Sequence, residues 1–94
     1  TDIASQDSTP EGIAWNDDGT RLYEVGSGSN RIYQYNVYSP YNINTASFDT
    51  DIASQDSTPT GIAWNNDGSG LYEVGRGSNR IYQSTVGSSV WEAF

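Results

Sequence analysis

Apolar and aromatic residues of this chain occur in short runs, and Gly, Asn, Asp or Pro interrupts every stretch of about ten residues. In the second half of the chain, three such runs, residues 61–64, 71–74 and 80–83, are predicted β-strands. Turn sequences rich in Asn and Gly, residues 65–68 and 75–79, separate them. No segment has the periodicity of an amphipathic helix, so the pattern predicts consecutive antiparallel strands.

The first half of the chain repeats this pattern and extends it. Its third strand is expected to continue through Val37, and residues 39–42, which include Pro40, interrupt it. Ala46–Ala53 then has the composition of a fourth strand. The pattern therefore predicts a four-stranded meander as the structural unit.

The two halves are copies of one another. Residues 1–34 align with residues 50–83 without a gap, a period of 49 residues, and such periods are typical of repeat architectures. We expect the differences to lie outside strands. They occur at five pairs of positions: Glu11/Thr60, Asp17/Asn66, Thr20/Ser69, Arg21/Gly70 and Ser27/Arg76.

The repeated strings PEGIAWNDDGTRLYEVG, PTGIAWNNDGSGLYEVG and SNRIYQ resemble the P-x-G-[IV]-A-x-[SN]-x-DG-x-x-[LV]-Y-V pattern of YVTN-type bacterial β-propeller repeats. The resemblance covers about two thirds of the chain and departs from the pattern at Glu24 and Glu73. It implies an all-β propeller of four-stranded blades, with residues 1–49 as one blade repeat and residues 50–94 as the second. It also places the loops 5–11, 54–60, 26–30 and 75–79 on the face where propellers usually bind.

The phase of the repeat predicts self-assembly. The chain begins with a copy of the fourth strand, and its last repeat has no full fourth strand. Residues 1–7 are therefore expected to complete a blade of a neighbouring copy, so that several chains close head to tail into one ring. Three chains with six blades are preferred; four chains with eight blades, or five chains, are the alternatives. A stable monomer would instead favour a self-contained β-sandwich.

The C-terminal residues have no close counterpart in the first repeat. Val90, Trp91 and Phe94 are expected to pack at the junction between chains. The alternative is a disordered tail.

Composition narrows the range of functions. The formal charge of −8, from twelve acidic residues and four arginines, disfavours nucleic acid and anionic membrane surfaces as partners. The chain has neither Cys nor His, and it therefore lacks the commonest general base, a thiolate nucleophile and the usual zinc ligands. We expect no enzymatic activity, no cofactor and no metal site, while cytoplasmic and extracellular locations are equally compatible.

Carbohydrate binding is the most specific function that the composition suggests. Sugars are held by aromatic platforms and planar polar groups, and shallow repeated sites gain avidity in an oligomer. Trp15 and Trp64 are more simply explained as packing between blades. Tyr35, Tyr38 and Tyr41 are further candidates for an exposed platform. The candidate ligand-binding residues are Glu11, Arg31, Arg76, Arg80, Asn30, Asn79, Trp15, Trp64 and Trp91. A ligand-free structural or engineered scaffold is the alternative function.

Glu24 and Glu73 are the carboxylates that an enzyme or a cation site would need. Because a buried carboxylate requires partners, we expect each to pair with Arg31 or Arg80, or with tyrosine hydroxyls. The Asp-Ser-Thr-Pro sequences at residues 7–10 and 56–59 are expected to form turns in which the Asp side chain bonds its own backbone.

Overall fold

A computed structural model describes residues 2–64 and 70–85. These residues form two antiparallel sheets, with strand orders β1-β2-β3-β4 and β5-β6-β7, and one short 3-10 helix before β4. The all-β prediction is confirmed for this part of the chain. The strands are β1 (Pro10–Trp15), β2 (Arg21–Gly26), β3 (Arg31–Val37), β4 (Ala46–Ala53), β5 (Pro59–Trp64), β6 (Gly70–Gly75) and β7 (Arg80–Thr85), and the 3-10 helix spans Ile43–Thr45.

The turn between β1 and β2 has the predicted chemistry. The Asn16 side chain accepts a hydrogen bond from the Arg21 amide at 3.1 Å, and the Asp18 side chain accepts one from the Thr20 amide at 3.0 Å. Gly19 has a φ of 76°, which glycine adopts without steric cost. The copy of this turn at residues 65–68 lies outside the described residues.

The fourth strand is confirmed with its predicted bounds. β4 spans Ala46–Ala53 and pairs with β3, which continues to Val37. The register places Ile32 opposite Ile52. β4 therefore covers the outer edge of the first sheet, whereas β7 is the edge strand of the second sheet within the described residues.

The expectation that the repeats differ only outside strands is wrong at two pairs of positions. Glu11 and Thr60 lie in β1 and β5, and Arg21 and Gly70 begin β2 and β6. Neither pair interrupts the sheets, because the pairing of β5 with β6 repeats that of β1 with β2, including the irregularity after the first residue pair.

The main core lies between the two sheets. Tyr23, Val25 and Ile32 of the first sheet and Leu71 of the second form a buried cluster, on which Ile52, Ile62 and Trp64 pack. A second cluster lies on the opposite face of the first sheet and contains Leu22, Tyr33, Tyr35 and Val37 with Trp15, Ile43 and Ala46. The first sheet therefore has apolar side chains on both faces, as a sheet between two other layers has.

Candidate functional site

A buried carboxylate fastens the segment before β1 to the turn between β2 and β3. Asp7 is 6% exposed. Its carboxylate accepts hydrogen bonds from the amides of Thr9 (2.7 Å), Gly28 (2.9 Å) and Ser29 (3.2 Å) and from the Ser29 hydroxyl (2.7 Å). The predicted turn is confirmed by the bond from Thr9, but the contacts with Gly28 and Ser29 also connect two distant parts of the repeat.

Asp56 repeats this arrangement between β4 and β5. It accepts hydrogen bonds from the amides of Thr58 (2.7 Å) and Gly77 (2.9 Å) and from the Ser78 hydroxyl (2.7 Å). These bonds lower the pKa of Asp56, the bond from Ser78 most strongly. For Asp7, burial acts to raise the pKa, but the bonds from Ser29, Thr9 and Gly28 outweigh it, so the pKa is lowered.

Glu24 occupies the middle of β2 and is 4% exposed. Its carboxylate accepts hydrogen bonds from the Ser5 hydroxyl, from the Gln6 amide at 3.2 Å and from the Tyr35 hydroxyl at 2.6 Å. Pairing with a tyrosine hydroxyl is therefore confirmed. Burial, together with the bond to Glu24, raises the pKa of the Tyr35 phenol.

Glu73 is the copy of Glu24 in β6 and is equally buried, at 4%. It accepts hydrogen bonds from the Ser54 hydroxyl and, at 3.0 Å, from the Gln55 amide. Ser84 stands at the position that corresponds to Tyr35, and it faces Leu71 across the strand pair as Tyr35 faces Leu22. Burial raises the pKa of Glu73, because the backbone hydrogen bonds to its carboxylate offset only part of the desolvation.

An open cleft lies where the two sheets meet beside Glu73. Its volume is about 350 Å³, and it is lined by Arg31, Ile32, Asp51, Ile52, Ala53, Gln55, Glu73 and Ser84. Arg31 Nε and Asp51 Oδ2 form a salt bridge of 2.9 Å, and the side chains are 41% and 32% exposed. The cleft therefore combines accessible charged groups with an aliphatic wall. Arg31 pairs with Asp51, so of the two expected kinds of partner for Glu24 the tyrosine hydroxyl is the one observed.

The tryptophans proposed as a platform pack against other aromatic rings. Trp64 lies in the main core with its ring centroid 4.8 Å from that of Tyr23. Trp15 packs at 5.2 Å from Tyr41. Trp91 and its neighbours at the C-terminus lie outside the described residues, so their predicted place at a chain junction stays a prediction.

The polar candidates are separated in the structure. Arg31 lines the cleft. Asn30 and Asn79 have φ values of 59° and 58°, so each serves a left-handed turn position that Asn tolerates. Glu11 accepts a hydrogen bond from the Ser27 hydroxyl at 3.0 Å. Arg76 and Arg80 are exposed.

The three tyrosines proposed as an exposed platform differ. Tyr38 is 92% exposed and Tyr41 is 56% exposed, but Tyr35 is only 4% exposed. The prediction is therefore wrong for Tyr35, because its hydroxyl is bonded to Glu24 and its ring packs edge-on against Phe48, with centroids 6.1 Å apart.

Sequence reasoning missed Asp51, Gln55 and Ser84 as cleft residues and took Glu73 as a structural residue. One signal was present: position 35/84 is the first difference after the aligned segment of the repeat. Because Ser84 stands where the first repeat has the much larger Tyr35, the second repeat is expected to leave space at this position.

Among residues 2–64 and 70–85 there is no group of three or more acidic residues that could hold a metal ion. No helix in the same part of the chain is long and apolar enough to cross a membrane. The sequence matches no protein-family model and no curated protein.

Proposed function

We propose that this chain is a non-enzymatic, multivalent binding module whose ligands are carbohydrates, built by head-to-tail assembly of copies into a closed β-propeller. Each sheet is one blade, and the repeats are of the YVTN type that the sequence resembles. Three chains with six blades form the preferred ring. The observation that carries the proposal is a difference in exposure between matched residues of the two sheets.

Residues that are buried in the first sheet are exposed in the second. Ile81 is 77% exposed, whereas its copy Ile32 is 2% exposed. Val74 is 42% exposed, whereas its copy Val25 is fully buried. Within the chain, the second sheet covers this face of the first. The same face of the second sheet therefore needs an equivalent cover, and the first sheet of another copy has the right sequence to supply it.

The segment before β1 is the proposed outer strand for the second sheet of another copy, whose edge strand among the described residues is β7. Ser5 and Gln6 bind Glu24 as Ser54 and Gln55 bind Glu73. Residues 2–4 therefore precede this contact with the first sheet as the end of β4 precedes the matching contact with the second sheet. β4 pairs with β3 through Ile52 and Ile32. The repeat then pairs Ile3, which is 38% exposed, with Ile81 of another copy.

The two free faces of the chain have complementary chemistry. On the first sheet, a cleft of about 280 Å³ is lined mainly by apolar residues, among them Ile3, Ile13 and Leu22. On the second sheet, a cleft of about 330 Å³ is lined by Ile62, Val74, Ile81 and their neighbours. Because the two faces differ, the contact between copies is heterologous and leads to a ring when the rotation closes.

Carbohydrate is the ligand class that the polar cleft supports best. The Arg31 and Asp51 side chains are charged and partly exposed, and a guanidinium donates hydrogen bonds to hydroxyl groups whereas a carboxylate accepts them. Ile32, Ile52 and Ala53 supply a non-polar wall for C–H groups. A ring repeats this cleft in every chain, so several weak contacts act together on a branched glycan.

Native mass spectrometry followed by a glycan array tests the proposal. We expect one closed oligomer with a mass of three chains, and binding of the assembled protein to a defined set of glycans. A folded monomer at the concentrations of the array would contradict the assembly. An oligomer that binds none of a broad glycan panel would contradict the ligand class.

A ligand-free scaffold is the second candidate, and one observation favours it. The rings of Trp15 and Trp64 pack on Tyr41 and Tyr23 of the protein itself, so these two aromatic candidates already have contacts within the chain. A closed ring with no glycan ligand is the result that this candidate predicts.

A further inference from the structure

We infer that each chain has one ligand site, the polar cleft between its own two sheets, and that the equivalent cleft at every junction between chains is closed by Tyr35. The inference rests on the proposed function, because it names the binding site of the carbohydrate module. It gives a ring half as many sites as sheets. The ligand is a single pyranose unit with free hydroxyls, bound at the end or a branch of a glycan.

The argument begins with the matched positions 35 and 84. Tyr35 lies beside Glu24, with its hydroxyl 2.6 Å from the carboxylate and 3.2 Å from the Gln6 amide. Ser84 is much smaller, and the cleft beside Glu73 is open to it. The other groups around the two carboxylates are copies of each other, so the side chain at this position decides whether the cleft is filled.

The assembled ring repeats both arrangements in alternation. Within a chain, the junction between the first and second sheets contains Glu73 and Ser84. Between chains, the first sheet of one copy meets the second sheet of another, and that junction contains Glu24 and Tyr35. In the single chain, the groove beside Glu24 has a volume of about 280 Å³ and is lined mainly by apolar residues, with Tyr35 at the position that corresponds to Ser84 in the other cleft. In the proposed ring, the apolar face of the second sheet of another copy covers this groove, so no polar cleft remains there.

The size and chemistry of the open cleft set the ligand class. A volume of about 350 Å³ lies at the small end of ligand pockets, which range from about 300 to 1,000 Å³. The Arg31 guanidinium donates hydrogen bonds, whereas the Asp51 carboxylate accepts them, and the Ser84 hydroxyl can do either. A lining that combines hydrogen-bond donors and acceptors with the aliphatic residues Ile32 and Ile52 fits a neutral polyhydroxylated ring better than an anion or an apolar molecule.

The raised pKa of Glu73 agrees with this assignment. Burial acts on its carboxyl without the tyrosine hydroxyl that Glu24 has. A ligand hydroxyl that enters the cleft would supply a donor on the side where Tyr35 donates to Glu24. Glu73 is thus a positioning and binding group in this site, and no bond is made or broken.

The test is a titration of the whole protein with the methyl glycosides of glucose, galactose, mannose and N-acetylglucosamine, followed by calorimetry and by the NMR shift of the Gln55 amide. We expect at least one glycoside to bind with one site per chain and to move the Gln55 resonance. Ser84→Tyr should weaken that binding by about tenfold or more, because the new ring occupies the cleft as Tyr35 does in the other repeat. Ser47→Tyr introduces the same ring at an exposed position of β4 outside the cleft and is the matched control.

Two readouts keep folding and binding apart. The native mass and far-UV circular dichroism of Ser84→Tyr should equal those of the unchanged protein, because the repeat already accommodates Tyr at this position. Tyr35→Ser should open the second cleft and raise the number of sites toward two per chain. If Tyr35→Ser does not fold, the comparison of Ser84→Tyr with Ser47→Tyr still decides the matter.

The outcomes separate this inference from the proposed function. Glycan binding that Ser84→Tyr leaves unchanged, or two sites per chain in the unchanged protein, overturns the inference and leaves a carbohydrate module with another site. Absence of binding to the four glycosides and to the glycan array overturns both. One site per chain that Ser84→Tyr removes and Ser47→Tyr keeps supports both.

Discussion

Ile81→Lys is the substitution that should separate the chains without unfolding them. Ile81 is 77% exposed in the single chain, so a lysine there has little effect on the fold of one copy. In the proposed ring, this side chain is expected to take the environment of Ile32, which is 2% exposed. The variant therefore places a charge in an apolar junction where it has no counterpart.

The magnitude follows from the two exposures. Full burial of an isoleucine side chain contributes about 2–3 kcal/mol. About three quarters of the Ile81 side chain becomes covered at each junction, which gives about 2 kcal/mol. A ring of three chains contains three such junctions, so the loss is about 6 kcal/mol, or about a 10⁴-fold decrease in the association constant. Burial of the lysine charge adds to this loss.

Sedimentation velocity over a wide range of concentrations measures the effect. The unchanged protein should sediment as one closed species, and Ile81→Lys as a folded monomer at the same concentrations. Tyr38→Lys is the matched control, because Tyr38 is 92% exposed and belongs to neither junction face. If Ile81→Lys assembles as Tyr38→Lys does, the face of the second sheet is not the contact between copies and the reasoning from matched exposure fails.

Three further results are expected. Asp7→Asn should lower the free energy of unfolding by about 2–4 kcal/mol in chemical denaturation, because the new NH₂ group cannot accept the hydrogen bonds that the carboxylate accepts from N–H and O–H donors. Asp2→Asn, at an exposed position, is the control. The pKa values of Asp7 and Asp56 are lower in the folded protein than the unfolded value of 3.8, so the two carboxylates stabilise the fold above pH 3.8, and this stabilisation is lost as the pH falls through their folded pKa values. Asp7→Asn should therefore flatten the acid limb of a plot of unfolding free energy against pH, and an unchanged limb would contradict this. Asn30→Ala should lower the melting temperature, at a cost of about 1–2 kcal/mol, because Asn30 has a φ of 59°; Asn30→Gly should not, and equal losses in both variants would argue against a backbone cause.

The strands could be predicted from the sequence because local signals agree with one another. Ala46–Ala53 follows a proline-containing break and precedes a polar loop, and the structure begins and ends β4 at these residues. The turns at Gly19 and Asn30 use residues that tolerate a positive φ. Such signals depend on residues that are adjacent in the chain, and these can be read from the sequence directly.

The candidate site could be predicted only in part, because it is made by contacts between distant residues. Arg31 was a candidate and lines the cleft, but its partner Asp51 is 20 residues away on the adjacent strand. Trp64 is of a residue type that sugar-binding platforms use, yet the packing of the two sheets places it against the core. Whether an aromatic residue lies in a core or on a surface depends on sheet packing, which local patterns do not specify.

The joint between a first and a second sheet occurs in two forms in the proposed ring. Within a chain, the backbone continues from β4 through Ser54 and Gln55, which bind Glu73, so this joint has a covalent tether. Between chains, residues 2–4 pair with β7 of another copy before Ser5 and Gln6 bind Glu24, so this joint has none. A short tether gives an effective concentration in the millimolar range, whereas the untethered joint depends on the concentration of free chains. Dilution of the proposed ring should then open every second joint and release intact two-sheet units. Rings would then exchange whole chains with one another, and the number of glycan sites held in one assembly would increase with protein concentration.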